Sequence, residues 1–349
     1  MPGTTRRGFL SIGAAAIATA GCKGEPIQAS ALPPLPRDRV APGAVPRRTL
    51  GSTGAQVSVL GLGGFHIGKV DTLDEAKRIV AEAMDAGINF FDNAWEYSDG
   101  KSEDWLGKAL AGRREHAFLM TKVCTHGRDH AVAQQQLEES LKRLQTDYLD
   151  LWQVHECVYD NDPERHFAKD GVIRALEDAK KAGKVRFVGF TGHKHPRIHQ
   201  KMLSQGFAFD TVQMPLNVFD ANFRSFEHEV LPTAVQRKLG VIGMKSLGGT
   251  GQAIQEGVVT IEEALRYAMS VPGVSVTVSG VDSLTILHQN LAIARDFKPL
   301  TPNEMIALRE RTADAAGDGH FELYKTTTRF DAKVGREQHG YPTEEELPL

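Results

Sequence analysis

Short apolar runs alternate along the chain with segments in which apolar side chains recur every three or four positions. The apolar runs predict eight strands, at residues 57–62, 88–92, 117–122, 149–155, 185–190, 211–214, 241–245 and 274–278. Most of these runs are apolar throughout rather than alternating, which is typical of parallel strands that are buried on both faces. The intervening segments predict amphipathic helices, most clearly at 72–85 and 133–144.

Eight successive strand-and-helix units predict a (β/α)8 barrel, the TIM barrel of the α/β class. The strands begin roughly thirty residues apart, the usual length of a strand, a crossover helix and two loops. An open doubly wound sheet is the competing fold, but it usually has fewer strands and a first turn of the pattern G-x-G-x-x-G. Gly61 and Gly63 fit the first two glycines of that pattern, whereas His66 occupies the third position. The sequence therefore favours the barrel.

Shorter segments flank the predicted barrel, which spans residues 48–315. Residues 48–54 contain two glycines separated by two residues and predict a hairpin that caps the barrel floor. Residues 301–312 carry a helical pattern. The chain is polar beyond Gly317, so residues 316–349 are expected to form an irregular C-terminal extension.

The N-terminus has the pattern of an export signal. Arg6 and Arg7 precede Gly-Phe-Leu, and a mildly apolar, alanine-rich run at 12–20 ends just before Cys22. This order predicts a signal peptide at residues 1–25 that resembles the twin-arginine type, whose pathway carries folded proteins. The twin-arginine export machinery is therefore an expected partner.

An exported protein is expected to be periplasmic or to be attached to a membrane as a lipoprotein. Cys22 is the candidate for lipid attachment, although Thr19 stands where a lipoprotein signal usually has leucine. Cleavage after Ala20 without lipidation is the alternative. Residues 26–47 are rich in proline and predict an exposed linker between the signal and the barrel.

Composition and charge exclude some classes of partner. The 349 residues carry 41 Lys and Arg against 44 Asp and Glu, a formal net charge of −3. The sequence has no basic stripe that would neutralise a nucleic-acid backbone, so nucleic acid is not an expected partner. No apolar stretch approaches the roughly 18 residues that a membrane span needs.

Three consecutive predicted strands end in ionisable residues, namely Asp92, Lys122 and His155. The C-terminal ends of barrel strands form the mouth in which reacting groups lie. Charges at an apolar mouth are costly unless they are paired, and Asp92 and Lys122 lie on neighbouring strands that allow pairing. Tyr97 follows Asp92 by five residues, in a loop at the same mouth.

These four side chains suit proton transfer coupled to hydride transfer. A free tyrosine has a pKa of about 10, so its phenol needs help to donate a proton near neutral pH. Lys122 is expected to lower the pKa of Tyr97, while Asp92 holds the lysine in place. His155 is expected to orient a substrate carbonyl or to share the proton.

From about residue 49 to residue 290 the sequence resembles the aldo-keto reductase family. The likeness is carried by Tyr97 and by the segments 91–94, 100–110, 121–123, 147–151, 153–155 and 183–190. The resemblance implies that Tyr97 is the general acid for reduction of a carbonyl, with hydride supplied by NADPH or NADH. It implies a catalytic tetrad composed of Asp92, Tyr97, Lys122 and His155.

The same resemblance implies a cofactor site. Its residues are Gly63, Thr191, Gln213, Met244, Lys245, Leu247, Gly248, Gly280, Gln289 and Asn290. Thr191 and Gln213 match contacts to the nicotinamide carboxamide, and Met244 stands where the family usually stacks an aromatic ring. Ile286 stands where an arginine often binds the 2′-phosphate, so NADP and NAD are both candidates. Because no pool of reduced cofactor is expected outside the cytoplasm, tight binding is expected.

Trp95 and His193 are candidates for contacts with a small carbonyl or alcohol substrate. Two other functions stay open. One is a cofactor-bound regulatory or binding protein, since a fold alone does not specify chemistry. The other is a metal-dependent hydrolase, since six histidines lie in or near the predicted mouth loops: His66, His126, His130, His155, His193 and His195. Lysine and tyrosine are poor metal ligands, so no metal site is assigned.

Two of the three cysteines lie close to predicted catalytic residues. Cys124 lies two positions beyond Lys122, and Cys157 lies two positions beyond His155. Side chains two positions apart on a strand share a face, so both thiols are expected on the catalytic side. In an oxidising compartment they are candidates for a disulfide across the mouth.

Overall fold

The computed structural model describes residues 32–36, 41–124, 129–295, 297–342 and 346 of the chain. The signal peptide predicted at 1–25, with Cys22, lies outside these residues, and so does part of the predicted linker. Within the described residues, no helix is both long enough and apolar enough to cross a membrane.

The described residues form ten strands in two sheets. β1 (Arg47–Thr49) and β2 (Gln56–Ser58) pair antiparallel in a small hairpin. The other strands are β3 (Leu60–Gly63), β4 (Phe90–Asp92), β5 (Phe118–Val123), β6 (Leu149–Val154), β7 (Val185–Thr191), β8 (Thr211–Pro215), β9 (Gly240–Met244) and β10 (Val274–Gly280). These eight are parallel and close into a barrel, because β10 pairs with both β9 and β3. The predicted barrel is confirmed.

The first predicted strand, 57–62, divides at Val59 into two strands of different sheets. Residues of β2 pair with β1, whereas Leu60 pairs with Thr277 of β10. The Val59 N–H donates to the Pro46 carbonyl at 2.9 Å, which keeps the chain beside the hairpin until the barrel begins. The sequence pattern does not indicate this change of sheet, because apolar residues continue through both strands.

Helices connect the barrel strands, and the first turns of some of them are capped by side chains. At the start of the second helix the Thr72 hydroxyl accepts from the Glu75 N–H at 3.2 Å, which satisfies an amide that has no partner within the helix. The helices are α1 (Gly64–Ile67), α2 (Leu73–Asp85), α3 (Lys101–Ala109), α4 (His130–Arg143), α5 (Asp162–His166), α6 (Val172–Lys181), α7 (Pro196–Ser204), α8 (Phe226–Glu229), α9 (Leu231–Gln236), α10 (Gln252–Gln255), α11 (Ile261–Ser270), α12 (Leu284–Arg295), α13 (Pro302–Ala316), α14 (Leu323–Thr326) and α15 (Lys333–His339).

The hairpin closes the floor of the barrel, as predicted. Leu50, directly after β1, is fully buried in a cluster with the barrel side chains Phe90 and Phe118. The next residue, Gly51, has a φ of 53°, and a Cβ there would come within 2.3 Å of the Gly240 backbone nitrogen. Glycine therefore permits the close backbone approach that seats Leu50.

The C-terminal extension differs from the expectation of an irregular segment. α13 contains the predicted helix 301–312, but the chain beyond Gly317 also forms α14 and α15. Lys325 is fully buried and donates to Asp220 Oδ1 at 2.7 Å and to Glu322 Oε2 at 2.9 Å. A buried lysine is tolerated because these carboxylates and a backbone carbonyl accept its protons. Polar composition misled the prediction because these charges find their partners only in the folded chain.

Leu50→Ala is expected to lower the free energy of unfolding by about 2–5 kcal/mol, because it leaves a cavity among buried aromatic side chains. Equilibrium unfolding in urea measures this loss. Ile306→Ala is the control, since Ile306 is 48% exposed. If Leu50→Ala lowers the free energy of unfolding no more than the control does, Leu50 does not stabilise the floor of the barrel.

Candidate active site

The C-terminal ends of β4, β5 and β6 bring the predicted ionisable residues together. Asp92 ends β4, Lys122 is the penultimate residue of β5, and His155 directly follows β6. Lys122 Nζ donates to Asp92 Oδ1 at 2.7 Å and to the Asn93 carbonyl at 2.7 Å. The Tyr97 hydroxyl lies 3.4 Å from the same ammonium. With side chains only 2% and 4% exposed, Lys122 and Asp92 form an ion pair that is shielded from water.

A turn of left-handed backbone holds Tyr97 at the mouth. The three residues after Tyr97 have φ values of 51°, 53° and 85°, a conformation that only glycine adopts without cost. The last of them is Gly100, where a Cβ would come within 2.5 Å of the central guanidinium carbon of Arg143. The Tyr97 ring meets the His155 ring edge-on, with centroids 5.7 Å apart. The turn thus aims the phenol at both Lys122 and His155.

The surroundings of Tyr97 raise the pKa of its phenol well above the usual value. Burial is the largest cause, followed by the negative charges of Asp92, Glu96 and Glu156. The expected lowering of this pKa by Lys122 is outweighed by burial and by these carboxylates, so the pKa of Tyr97 is raised overall. The phenol keeps its proton and is suited to donate it to a strongly basic oxygen, such as a developing alkoxide.

Sequence patterns did not single out Glu96, yet its carboxylate is in direct contact with Nδ1 of His155. Burial raises the pKa of Glu96, but the charge and hydrogen bond of His155 outweigh burial and lower the pKa overall. The Cys124 thiol lies beside this pair, with one ligand atom from each of the three residues within 4.8 Å of the others. The available signal in the sequence was the position of Glu96 directly before Tyr97.

Gln213 offers an acceptor at the position predicted for the nicotinamide carboxamide. Its Nε2 donates to Asp92 Oδ2 at 2.8 Å, which fixes the side chain. Its Oε1 is buried and has no hydrogen-bond partner among the described residues. Thr191, the neighbour of Gln213 in the strand register, places its hydroxyl 3.9 Å from the Met244 sulfur. A carboxamide carries both donors and an acceptor, so this pair of polar groups fits the nicotinamide end of a dinucleotide.

The other predicted cofactor residues differ in exposure. Gly63 pairs with Gly280 between β3 and β10. Asn290 is buried and donates to the Ser279 hydroxyl at 3.2 Å. Gln289 is exposed, and the residues that are buried or half-buried are Gly63, Met244, Lys245, Leu247, Gly248, Gly280 and Asn290.

Residues 317–342, the C-terminal cover, pack against the loop that follows β9. The Lys245 ammonium lies 5.6 Å from the centroid of the Tyr324 ring, and burial lowers the pKa of Lys245. A Cβ at Gly248 would come within 2.8 Å of the Phe321 carbonyl oxygen, so glycine is needed for this approach. The cover therefore lies over the predicted pyrophosphate loop.

The C-terminal cover also engages His193, a predicted substrate contact. Asp331 Oδ1 lies 3.3 Å from His193 Nε2 and 2.8 Å from Lys194 Nζ. Burial lowers the pKa of His193 to about 4, so the ring is neutral near pH 7. The other predicted substrate contact, Trp95, donates its indole N–H to Glu139 Oε2 on α4 at 2.7 Å. Both predicted substrate contacts thus have polar partners within the chain.

Glu156 links the catalytic mouth to the C-terminal cover. It directly follows His155, has a φ of 50° and accepts the Ala332 N–H with its carboxylate. Burial raises the pKa of Glu156 to about 7, and the charges of Glu96 and Asp331 act in the same direction. A carboxyl group that titrates near neutrality therefore lies between His155 and the cover.

Cys124 and Cys157 do not form the disulfide considered from the sequence. Both are free and buried. The Cys157 sulfur lies 3.5 Å from Nε2 of His166 on α5, whereas Cys124 faces Glu96. Between His155 and Cys157 the chain turns at Glu156, whose φ is 50°.

The histidines that suggested a metal-dependent hydrolase have separate partners in the described part of the chain. His130 Nε2 lies 2.9 Å from Asp178 Oδ2, and His195 Nδ1 accepts the Arg197 N–H at the start of α7. His126 lies outside the described residues. The described histidines therefore do not gather around one centre, and His155 alone lies in a cluster of possible metal ligands, with Glu96 and Cys124.

A family model described as the aldo/keto reductase family matches residues 59–255. Among curated proteins, the uncharacterized oxidoreductase YqkF of Bacillus subtilis is 24% identical over 309 residues, which cover 76% of this chain and 96% of that protein. The solved holo form of aldo-keto reductase AKR11C1 from Bacillus halodurans is 25% identical, with a TM-score of 0.66 over 76% of this chain and 96% of that chain.

A second solved structure is similar in fold. It is an aldo/keto reductase from Klebsiella pneumoniae in complex with NADP and acetate, 24% identical to this chain. The TM-score is 0.61, and the match covers 77% of this chain and 96% of that chain.

Glu156→Gln is expected to weaken the pH dependence of stability between pH 4.5 and 7. The pKa of Glu156 rises from 4.5 to about 7 on folding. In this window the folded state keeps a proton that the unfolded state has lost, so stability falls as the pH rises. Glutamine still accepts the Ala332 N–H but does not titrate.

When the pH is raised from 4 to 8, the free energy of unfolding of the Glu156→Gln variant should increase relative to that of the wild type by on the order of 1–3 kcal/mol. Urea unfolding at both pH values measures this difference. Glu310→Gln, at an exposed carboxylate, is the matched control. The same pH dependence in Glu156→Gln and in the wild type would show that Glu156 does not titrate as described.

Proposed function

The chain belongs to the aldo/keto reductase family, and on that premise we propose that Tyr97 is its general acid and base. The protein is an NAD(P)-dependent oxidoreductase that interconverts a carbonyl and an alcohol. The bound cofactor supplies hydride to the carbonyl carbon or accepts it from the alcohol. Tyr97 gives the matching proton to the substrate oxygen in reduction and takes it back in oxidation.

The contact between Lys122 and Tyr97 carries this assignment. Asp92 keeps the Lys122 ammonium 3.4 Å from the phenol oxygen in a site shielded from water. When hydride reaches the carbonyl carbon, negative charge on the substrate oxygen draws the proton from Tyr97. The ammonium then stabilises the phenolate that remains. His155, edge-on to the phenol, orients the same carbonyl.

The cofactor assignment uses the polar groups at the strand ends. The Oε1 of Gln213 and the hydroxyl of Thr191 would hold the carboxamide, and Met244 beside Thr191 would contact the nicotinamide. Lys245, a buried ammonium whose pKa is lowered by burial, would attract the pyrophosphate. The remaining contacts are Leu247 and Gly248 along the pyrophosphate and, further along the cofactor, Gly63, Gly280, Gln289 and Asn290. Ile286 leaves NADP and NAD both as candidates.

Export is the second part of the proposal. The pattern around Arg6 and Arg7 supports transport of the folded protein to the periplasm, where a lipidated Cys22 would attach it to the membrane. A cofactor bound before export has to be retained and recycled by oxidising one substrate and reducing another. Tight retention is supported by the C-terminal cover, which contacts the Lys245 loop and His193.

Tyr97→Phe is expected to reduce turnover on the order of 10²–10⁴-fold, because it removes the proton donor and leaves the cofactor site intact. Steady-state rates with a panel of aldehydes, together with cofactor binding by fluorescence, measure both effects. Tyr148→Phe, at the opposite end of β6, is the matched control. Undiminished turnover in Tyr97→Phe would exclude the assigned acid, and a wild type that binds cofactor without turning over any carbonyl would favour a regulatory protein.

Protein purified from the export compartment is expected to contain about one nicotinamide dinucleotide per chain. Mass spectrometry after denaturation identifies the dinucleotide and separates NADP from NAD. Replacing Arg6 and Arg7 by lysine should retain the protein in the cytoplasm with the same cofactor. Exported protein without dinucleotide would contradict retention, and a wild type that stays in the cytoplasm would contradict export.

A further inference from the structure

Glu96 contacts the proposed carbonyl-orienting residue from the side of Nδ1. We infer that Glu96 is a positioning residue, which keeps the Nδ1 proton of His155 and fixes the ring so that Nε2 is left for the substrate oxygen. This inference rests on the role of His155 in the proposed function. The acceptor role of Glu96 requires a proton on Nδ1, because a carboxylate has only acceptor sites.

The contact is well shielded, which gives it energetic weight. The side chains of Glu96 and His155 are 15% and 7% exposed. A contact between a carboxylate and an imidazole contributes little at the surface, whereas one removed from water is screened far less. The lowered pKa of Glu96, set mainly by His155 against the effect of burial, keeps the carboxylate charged over the physiological range.

Two further contacts restrict the histidine. The backbone N–H of His155 donates to the Val123 carbonyl at 3.0 Å, which fixes the backbone at this residue. The face of the ring is set by the edge-on contact with Tyr97, at an interplanar angle of 77°. These contacts leave open a flip of the ring by 180° and the choice of tautomer, and the contact of the Glu96 carboxylate with Nδ1 determines both.

A metal ion bound by Glu96, Cys124 and His155 is the competing explanation of the same cluster. Zinc bound to an imidazole nitrogen and a carboxylate oxygen would hold these two atoms about 3.3 Å apart. Glu96 and His155 are instead in direct contact, which leaves no place for an ion between them.

A double-mutant cycle tests the inference. Glu96→Ala is expected to lower kcat for carbonyl reduction on the order of 100-fold, with cofactor affinity unchanged. In the His155→Ala background the same substitution should change kcat by less than about threefold, because the residue on which Glu96 acts is gone. An equal loss in both backgrounds would overturn the inference, and circular dichroism with melting curves checks that each variant is folded.

Conservative replacement gives a second, independent readout. The amide oxygen of Glu96→Gln still accepts the Nδ1 proton, so kcat should return to within about tenfold of the wild type. If Glu96→Gln lowers kcat as much as Glu96→Ala does, the proposed role of the hydrogen bond is overturned. One equivalent of zinc in purified wild type, lost in Cys124→Ala, would establish the metal site instead.

These outcomes separate the inference from the proposed function. Full activity of His155→Ala would contradict the role of His155 and remove the basis for positioning. Loss of activity in His155→Ala, combined with an undiminished effect of Glu96→Ala in that background, would contradict positioning alone.

Discussion

The buried ion pair of Lys122 and Asp92 organises the whole mouth of the barrel. Each charge would be costly alone, and the parallel neighbours β4 and β5 place the two at the same edge. One oxygen of Asp92 holds the lysine that meets Tyr97, and the other oxygen holds the amide of Gln213. The pair therefore connects the proposed proton donor, Tyr97, to the proposed carboxamide site at Gln213. A shift of the ion pair would displace both.

The barrel and its ionisable strand ends could be predicted from the sequence because both depend on local patterns. Apolar runs of the right length set the strands, and the last residue of each run lies at the mouth whatever the helices outside do. Asp92, Lys122 and His155 follow from that rule alone. Tyr97 could be placed only approximately, since its position depends on a left-handed turn that ends at Gly100.

Features that depend on contacts through space escaped prediction. The C-terminal cover has a polar sequence, yet its charges are paired with residues far away in the chain, as Lys325 is with Asp220 and Asp331 with His193. The pKa of Tyr97 is raised, against expectation, because the phenol is buried and the carboxylates of Asp92, Glu96 and Glu156 surround it. Neither the periodicity of apolar residues nor the spacing of motifs predicts such contacts.

The C-terminal cover lies late in the chain, and this position determines when the site can be completed during synthesis. Residues 317–342 are synthesised after the barrel strands, yet they complete the surroundings of His193 and of the loop at Lys245. The barrel can form earlier, since domains fold from the N-terminal side during synthesis. The surroundings of the mouth are therefore complete only after residues 317–342 have packed against His193 and the loop at Lys245.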